Sequence, residues 1–284
     1  VKLSTPPAPA LEREAQVLSF LSASAPGFDV PNVVGFSRDH GALALKWESG
    51  APSLQALQER GRKLTTGDAR RLGVALASLH ALEPDPEIPS DASAELVRNL
   101  TWPTVAWYAT LNPAMLQFLS AVQSADGAFS ALVQMTEAAV DPPRRCLVHG
   151  DFRLPNLLLR RGRWLFVDWE LAAISDPAVD VGSAIAEVLG GMIAGRSVRE
   201  RVSHRAACAW TKSFFAGYRA ASTEDPTLDE RALRWAGEAL LRRVYSLAHY
   251  EGTFDDHSRD LIDSALELLI RPRAWRGDFL GAKR

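Results

Sequence analysis

The residues of this chain that could do chemistry gather in one stretch, His149-Gly150-Asp151-Phe152-Arg153-Leu154-Pro155-Asn156. It lies between apolar Leu147-Val148 and Leu157-Leu158-Leu159, so an acid and an amide five positions apart share a tight polar loop between two short strands. A second acid ends the next strand, in Phe166-Val167-Asp168-Trp169-Glu170. Phosphoryl transfer from ATP asks for this set. A carboxylate must orient the acceptor hydroxyl and take its proton, and hard oxygen ligands must hold Mg²⁺ against the phosphates. Asp151 suits the first role, and Asn156 and Asp168 suit the second. Arg153 could offset charge on the transferring group. Taken singly, each residue also fits a turn or a cap; Asp176 before Pro177 reads equally as a helix N-cap.

The elements that must position them can be read from periodicity. Lys2 sits in the tail of a strand, and Leu11 to Leu21 is an amphipathic helix. Asn32–Phe36 and Ala42–Trp47 form a hairpin across Ser37–Gly41. Ser53 caps a short helix, and Asp68 to Leu82 is a strongly periodic one stopped by Pro84, Pro86 and Pro89. Residues 90–141 are mixed and mainly helical. Cys146–Val148 and Trp164–Val167 are short strands, and the chain is helical from Ala178 onward. A small β-containing front piece thus precedes a larger helical back piece, with a hairpin-like insert at 146–170.

The site stretch resembles the aminoglycoside phosphotransferase and choline kinase-like family, whose loop reads His-Gly-Asp-x-x-x-x-Asn. The same logic appears in protein kinases as an Asp, an Asn five residues on and a later metal-binding Asp. Asp168-Trp169-Glu170 matches the family's metal strand, and Asp176-Pro177-Ala178-Val179-Asp180 matches its Asp-Pro-x-x-Asp segment. Similarity extends to SLHAL at 78–82 and FFAGYRA at 214–220. The resemblance implies an α+β, bilobal protein-kinase-like fold. Residues 1–50 would be a small nucleotide-binding N-lobe with a hinge near 46–50, and 51–284 a larger helical C-lobe that binds the acceptor. The family places two strands and a phosphate-covering loop ahead of its strand lysine. With Lys2 in that place, the N-lobe is expected to be incomplete and the native protein longer.

The resemblance also distributes roles. Asp151, Arg153 and His149 form the catalytic group, His149 by supporting the loop. Asn156 and Asp168 hold the metal, and Asp180 buttresses the loop. Lys2 pairs with Glu14 to hold the α- and β-phosphates; Glu12, the rival, lies on another helix face. Lys46, Trp47 and Glu48 fall where the family's hinge binds adenine through backbone groups. His80 reads as packing or helix capping. Trp102, Trp107, Tyr108, Trp210, Tyr218, Trp235 and Tyr245 are candidates for an acceptor cleft, though core packing accounts for most of them. The acidic run His249–Asp256 could favour a cationic acceptor, with a solvated loop as the plainer reading.

Bulk properties agree. The 284-residue chain is 47% hydrophobic and 23% charged, with net charge −2, which argues against a general nucleic-acid binder. Its two cysteines, Cys146 and Cys208, lack zinc spacing and read as reduced, buried thiols in a cytoplasmic protein. The longest apolar stretch, 181–195, is too short to span a bilayer. The expectation is an ATP- and Mg²⁺-dependent phosphotransferase acting on a small-molecule hydroxyl, such as an aminoglycoside or amino alcohol. One alternative is a Ser/Thr kinase acting on a peptide in a lanthipeptide-like natural-product pathway, with a partner protein. Another is a pseudokinase used as a binding module.

Overall fold

The computed structural model describes residues 1–24, 26–46, 50–62, 65–90, 95–194 and 203–280. They fall into two compact units. The first comprises Val1–Asp91, Arg144–Asp180 and Ser213–Glu224, and it contains every described residue assigned above to catalysis, nucleotide or metal.

This first unit opens with strand β1 (Lys2–Leu3), helix α1 (Pro9–Ser24) and strands β2 (Val33–Ser37) and β3 (Ala42–Leu45). The three strands form an antiparallel sheet in the order β1-β3-β2, with Lys2 opposite Leu43 and Phe36 also opposite Leu43. Helix α1 starts at a proline, whose fixed φ suits the first turn, and carries neither Gly nor Pro beyond it. Its apolar stripe places Leu11 and Ala15 against Leu43, with Val33 and Leu45 packed at the margin. The helix is longer at both ends than Leu11–Leu21, and β3 stops at Leu45, short of Trp47.

Helices α2 (Leu54–Glu59) and α3 (Thr66–His80) follow. Ser53 caps α2, its Oγ accepting from the Ala56 N–H at 3.1 Å. Helix α3 begins before Asp68 because Thr65 and Asp68 make a reciprocal capping box. It lies close against residues 214–218. A Cβ on Gly73 would stand 2.1 Å from the Phe214 carbonyl oxygen, and one on Gly217 2.1 Å from that of Arg70.

The second unit comprises Ala92–Pro143, Val181–Lys212 and Asp225–Arg284. Its described elements begin with α4 (Glu95–Thr101), α5 (Val105–Tyr108), α6 (Pro113–Gln123) and α7 (Ala128–Val140). The chain then returns to the first unit for four short strands: β4 (Cys146–Val148), β5 (Leu157–Arg160), β6 (Arg163–Phe166) and β7 (Ala173–Ser175). Strands β5 and β6 form a hairpin joined by Arg161-Gly162, both at positive φ (49° and 83°). A two-residue turn of that hand matches the twist of its strands. Strand β7 pairs antiparallel with β4, Leu147 opposite Ile174. The sequence gives no periodic signal for so short a strand.

Helices α8 (Ala178–Ala194), α9 (His204–Ala221), α10 (Leu228–Ser246), α11 (Asp256–Ile270) and α12 (Pro272–Trp275) complete the chain. Helices α8 and α9 each run through a unit boundary. The stretch expected as a solvated loop is split. Leu247–Glu251 continues α10 as a wider turn, and Asp255 caps α11. Cys146 is buried, but Cys208 is only half-buried, contrary to the expectation of two buried thiols.

Candidate active site

The loop after β4 turns at Gly150, whose φ is +78°. A Cβ there would stand 2.3 Å from the Leu171 carbonyl oxygen, so both backbone hand and space require glycine. The turn aims two consecutive N–H groups at Asp180, at the start of α8. The His149 N–H donates to Asp180 Oδ2 at 2.7 Å and the Gly150 N–H to Oδ1 at 2.9 Å. Asp180 is fully buried, where a carboxylate is tolerated only if its lone pairs are used.

His149 ties this loop to the segment just after β6, which bears Asp168. Its ring is buried, with Nε2 3.0 Å from the Val167 carbonyl oxygen and Nδ1 accepting the Asp151 N–H at 3.3 Å. Burial depresses its pKa below the ordinary value; the negative charges of Asp180 and Asp151 oppose the shift without reversing it. The imidazole is therefore a neutral bridge. It rests on Trp169 at 4.4 Å between ring centroids, and Phe28, Phe152 and Phe166 extend that aromatic layer. Trp169 Nε1 donates to the Phe166 carbonyl at 2.9 Å, so the large ring is buried without an orphaned N–H. The backbone adds one more link, the Val167 N–H to the Asn156 carbonyl at 3.1 Å.

Asp151 Oδ2 accepts from Arg153 Nε and Asn156 Nδ2, both at 2.8 Å. Asn156 Nδ2 also donates to the Asp151 carbonyl at 3.0 Å. Both partners of that amide group are acceptors, so the nitrogen must face them and Oδ1 is the remaining side-chain oxygen. Asp168 has a left-handed backbone, φ +69°, which is uncommon for a residue with a side chain. The Asp151 and Asp168 side chains are 18% and 30% exposed, whereas Asp180 is sealed. The first two can thus meet a ligand, and the third can act only through the loop.

Lys2 joins the Asp168 segment to α1. Its Nζ lies 2.7 Å from Glu14 Oε2 and also bonds Asp168 Oδ1. Burial alone would lower the lysine pKa, but the hydrogen bonds to Asp168 and Glu14 outweigh it and the net shift is upward. Glu14 is fully buried; desolvation raises its pKa, against the pull of Lys2. Glu12, the rival, pairs with Arg38 instead. Glu170 completes a group in which one carboxylate oxygen each of Glu14, Asp168 and Glu170 lies within 4.8 Å of the others. Sequence reasoning quoted Glu170 in its motif without giving it a role.

It named two further residues without joining them. His80 and Tyr218 are buried side by side, His80 Nδ1 2.8 Å from the Tyr218 hydroxyl and His80 Nε2 3.2 Å from Asp180 Oδ2. The family-like segments SLHAL and FFAGYRA contain them, but 138 positions separate the pair and no spacing rule joins them. Lys46 is exposed and follows β3, its backbone N–H on the Asn32 carbonyl at 2.8 Å. Trp47 and Glu48 lie outside the described residues. Of the aromatic candidates, Trp210, Tyr218 and Trp235 are core residues, while Trp102 and Tyr108 are exposed.

No curated protein matches the sequence. Among solved structures, the aminoglycoside phosphotransferase APH(2'')-Ib in its ADP-bound form is similar at 15% identity, over 92% of this chain and 83% of that one, with a TM-score of 0.55. The choline kinase LicA from Streptococcus pneumoniae is similar at 16% identity, over 94% and 84%, with a TM-score of 0.56. A microcompartment-associated aminopropanol kinase is similar at 17%, over 98% and 84%, also at 0.56. At such identities the likeness establishes the protein-kinase-like fold, with a small β-containing N-lobe and a larger helical C-lobe. Residues 1–222 match the model of the phosphotransferase enzyme family. With most of its length matched, the chain belongs to that family and is a phosphotransferase acting on hydroxyl groups.

Proposed function

We propose that the chain moves the γ-phosphoryl group of ATP onto the hydroxyl of a small molecule of the amino-alcohol or aminoglycoside kind. One observation carries this reading. The loop bearing Asp151 and Asn156 is locked by Asp180 and His149 to the segment just after β6 that bears Asp168, and Lys2 and Glu14 meet that same segment.

In this account the Arg153 and Asn156 bonds to the Asp151 carboxylate fall on Oδ2, and Oδ1 meets the acceptor. The acceptor oxygen attacks the γ-phosphorus and its proton passes to Asp151. The bond from that phosphorus to the bridging oxygen breaks, and ADP leaves. Lys2, fixed by Glu14, holds the α- and β-phosphates. Arg153 lies beside Asp151, where its charge stabilises the phosphoryl group in flight.

Asn156 Oδ1 and the Asp168 carboxylate are hard oxygen donors and fit Mg²⁺. When bound, the ion supplies charge neutralisation at the phosphates. Solved structures of this fold include, by name, kinases of choline and aminopropanol and an aminoglycoside phosphotransferase, which favours a small acceptor over a peptide. Among the described residues no helix is long and apolar enough to cross a membrane. We place the protein in the cytoplasm, where ATP is abundant and free thiols such as Cys146 persist.

The test is an acceptor screen by mass spectrometry, with Mg·ATP against amino alcohols, aminoglycosides and Ser/Thr peptides. A gain of one phosphoryl group on a small alcohol is expected. Transfer to peptides alone, or to nothing, would overturn the proposal.

A further inference from the structure

His80 is buried between two partners of opposite hydrogen-bonding character. On one side is the Asp180 carboxylate, which can only accept; on the other is the Tyr218 hydroxyl, which can do either. A neutral imidazole carries one N–H, so its tautomer decides which neighbour it serves. Burial, with the Asp180 carboxylate nearby, drives the Tyr218 phenol well above its ordinary pKa. Its O–H therefore stays on and can donate to His80 Nδ1. That leaves the imidazole proton on Nε2, facing Asp180.

We propose that Tyr218 is a positioning residue for the phosphoryl-transfer site: its hydroxyl locks His80 in the Nε2–H tautomer, which completes the set of donors holding Asp180 beneath the catalytic loop. The inference rests on the functional reading above, in which the His149–Asp151 turn carries the catalytic base. Asp180 Oδ2 accepts from both His80 Nε2 and the His149 N–H, so the two bonds share one oxygen. With the other tautomer, a lone pair on Nε2 would face the carboxylate, and the oxygen that fixes the loop would lose a partner and gain a repulsion. Arg144 holds the far side, Nη2 donating to the His80 carbonyl at 2.8 Å and Nη1 to Thr223 Oγ1 at 2.9 Å. The end of α3 and the residues just past α9 are thereby tied together beside the pair.

The chemistry makes a distinctive prediction for paired variants. Tyr218→Phe keeps the ring and removes the lock. It should lower kcat about tenfold, the rate equivalent of one ordinary buried hydrogen bond, and leave the KM values for ATP and acceptor unchanged. His80→Gln puts in an amide that can offer N–H to Asp180 and has no tautomer to choose. In that background Tyr218→Phe should cost no further kcat, although it can still cost stability. The tautomer can be read without turnover: ¹⁵N NMR of histidine-labelled full chain should show a protonated Nε2 for His80 in the wild type and a mixture, or protonated Nδ1, in Tyr218→Phe. Loss of phosphoryl transfer in the wild type would overturn the functional reading and leave the NMR result standing. Equal kcat losses from Tyr218→Phe in both backgrounds, or a wild-type His80 protonated on Nδ1, would overturn the tautomer lock.

Discussion

Replacing Asp180 by Asn removes one charge from a group that touches no ligand, so its effect isolates the support of the loop. The carboxylate accepts at 2.7 Å from the His149 N–H, at 2.9 Å from the Gly150 N–H and at 3.2 Å from His80 Nε2, in a fully buried setting. An amide there offers one oxygen and turns its NH₂ toward at least one of those donors. One charge-assisted bond is lost and one buried N–H is left facing another, a cost of about 3–5 kcal/mol. In a protein of this size that lowers the thermal midpoint by about 5–8 °C. The two loop amides would also relax, shifting Asp151; a misplacement of about 1 Å is worth roughly a hundredfold in rate. Thermal unfolding and steady-state kinetics on Asp180→Asn read both effects. A midpoint within about 2 °C of wild type, together with unchanged kcat, would show that the buried carboxylate does not hold the loop.

Two other outcomes follow from the same turn. Because burial lowers the His149 pKa, the unfolded chain takes up the proton first as pH falls, and the folded chain resists it. Stability is therefore full above the ordinary value of 6.5 and declines below it. Urea unfolding at a series of pH values should show wild type losing up to about 1.4 kcal/mol per pH unit more than His149→Gln below that point; parallel curves would contradict the neutral bridge. Gly150→Ala forces a side chain into a left-handed backbone, about 1–2 kcal/mol, and into the Leu171 carbonyl oxygen as well. Its thermal midpoint and turnover should both fall, and a variant as stable and active as wild type would refute the tight turn.

How legible the molecule was depends on range. Asp151, Asn156 and Asp168 could be nominated because their spacing is local and their chemistry is shared by few other arrangements. Helix α3 was legible from its apolar period, and its true start from Thr65 and Asp68 only once the capping bonds were seen. The choice of Glu14 over Glu12 rested on helix faces, and the structure pairs Glu14 with Lys2. Strand β7 was illegible because three residues carry no periodicity and its partner β4 lies far upstream. The left-handed backbone of Asp168 was not legible, because Asp tolerates positive φ better than most residues but seldom adopts it, so the residue type alone does not announce it. His80 and Tyr218 were visible as residues but not as a pair; only packing of α3 against α9, through Gly73 and Gly217, brings them together.

The central claim is that Asp151 takes the acceptor proton during phosphoryl transfer. Single-turnover transfer from Mg·ATP, measured beside nucleotide binding in wild type and Asp151→Asn, tests it most directly. Asn preserves the size of the side chain and can still accept from Arg153 or Asn156 through its oxygen, but it is no base. The account predicts unchanged nucleotide affinity with transfer slowed by about 10²–10⁴-fold. Transfer at the wild-type rate in Asp151→Asn would contradict it.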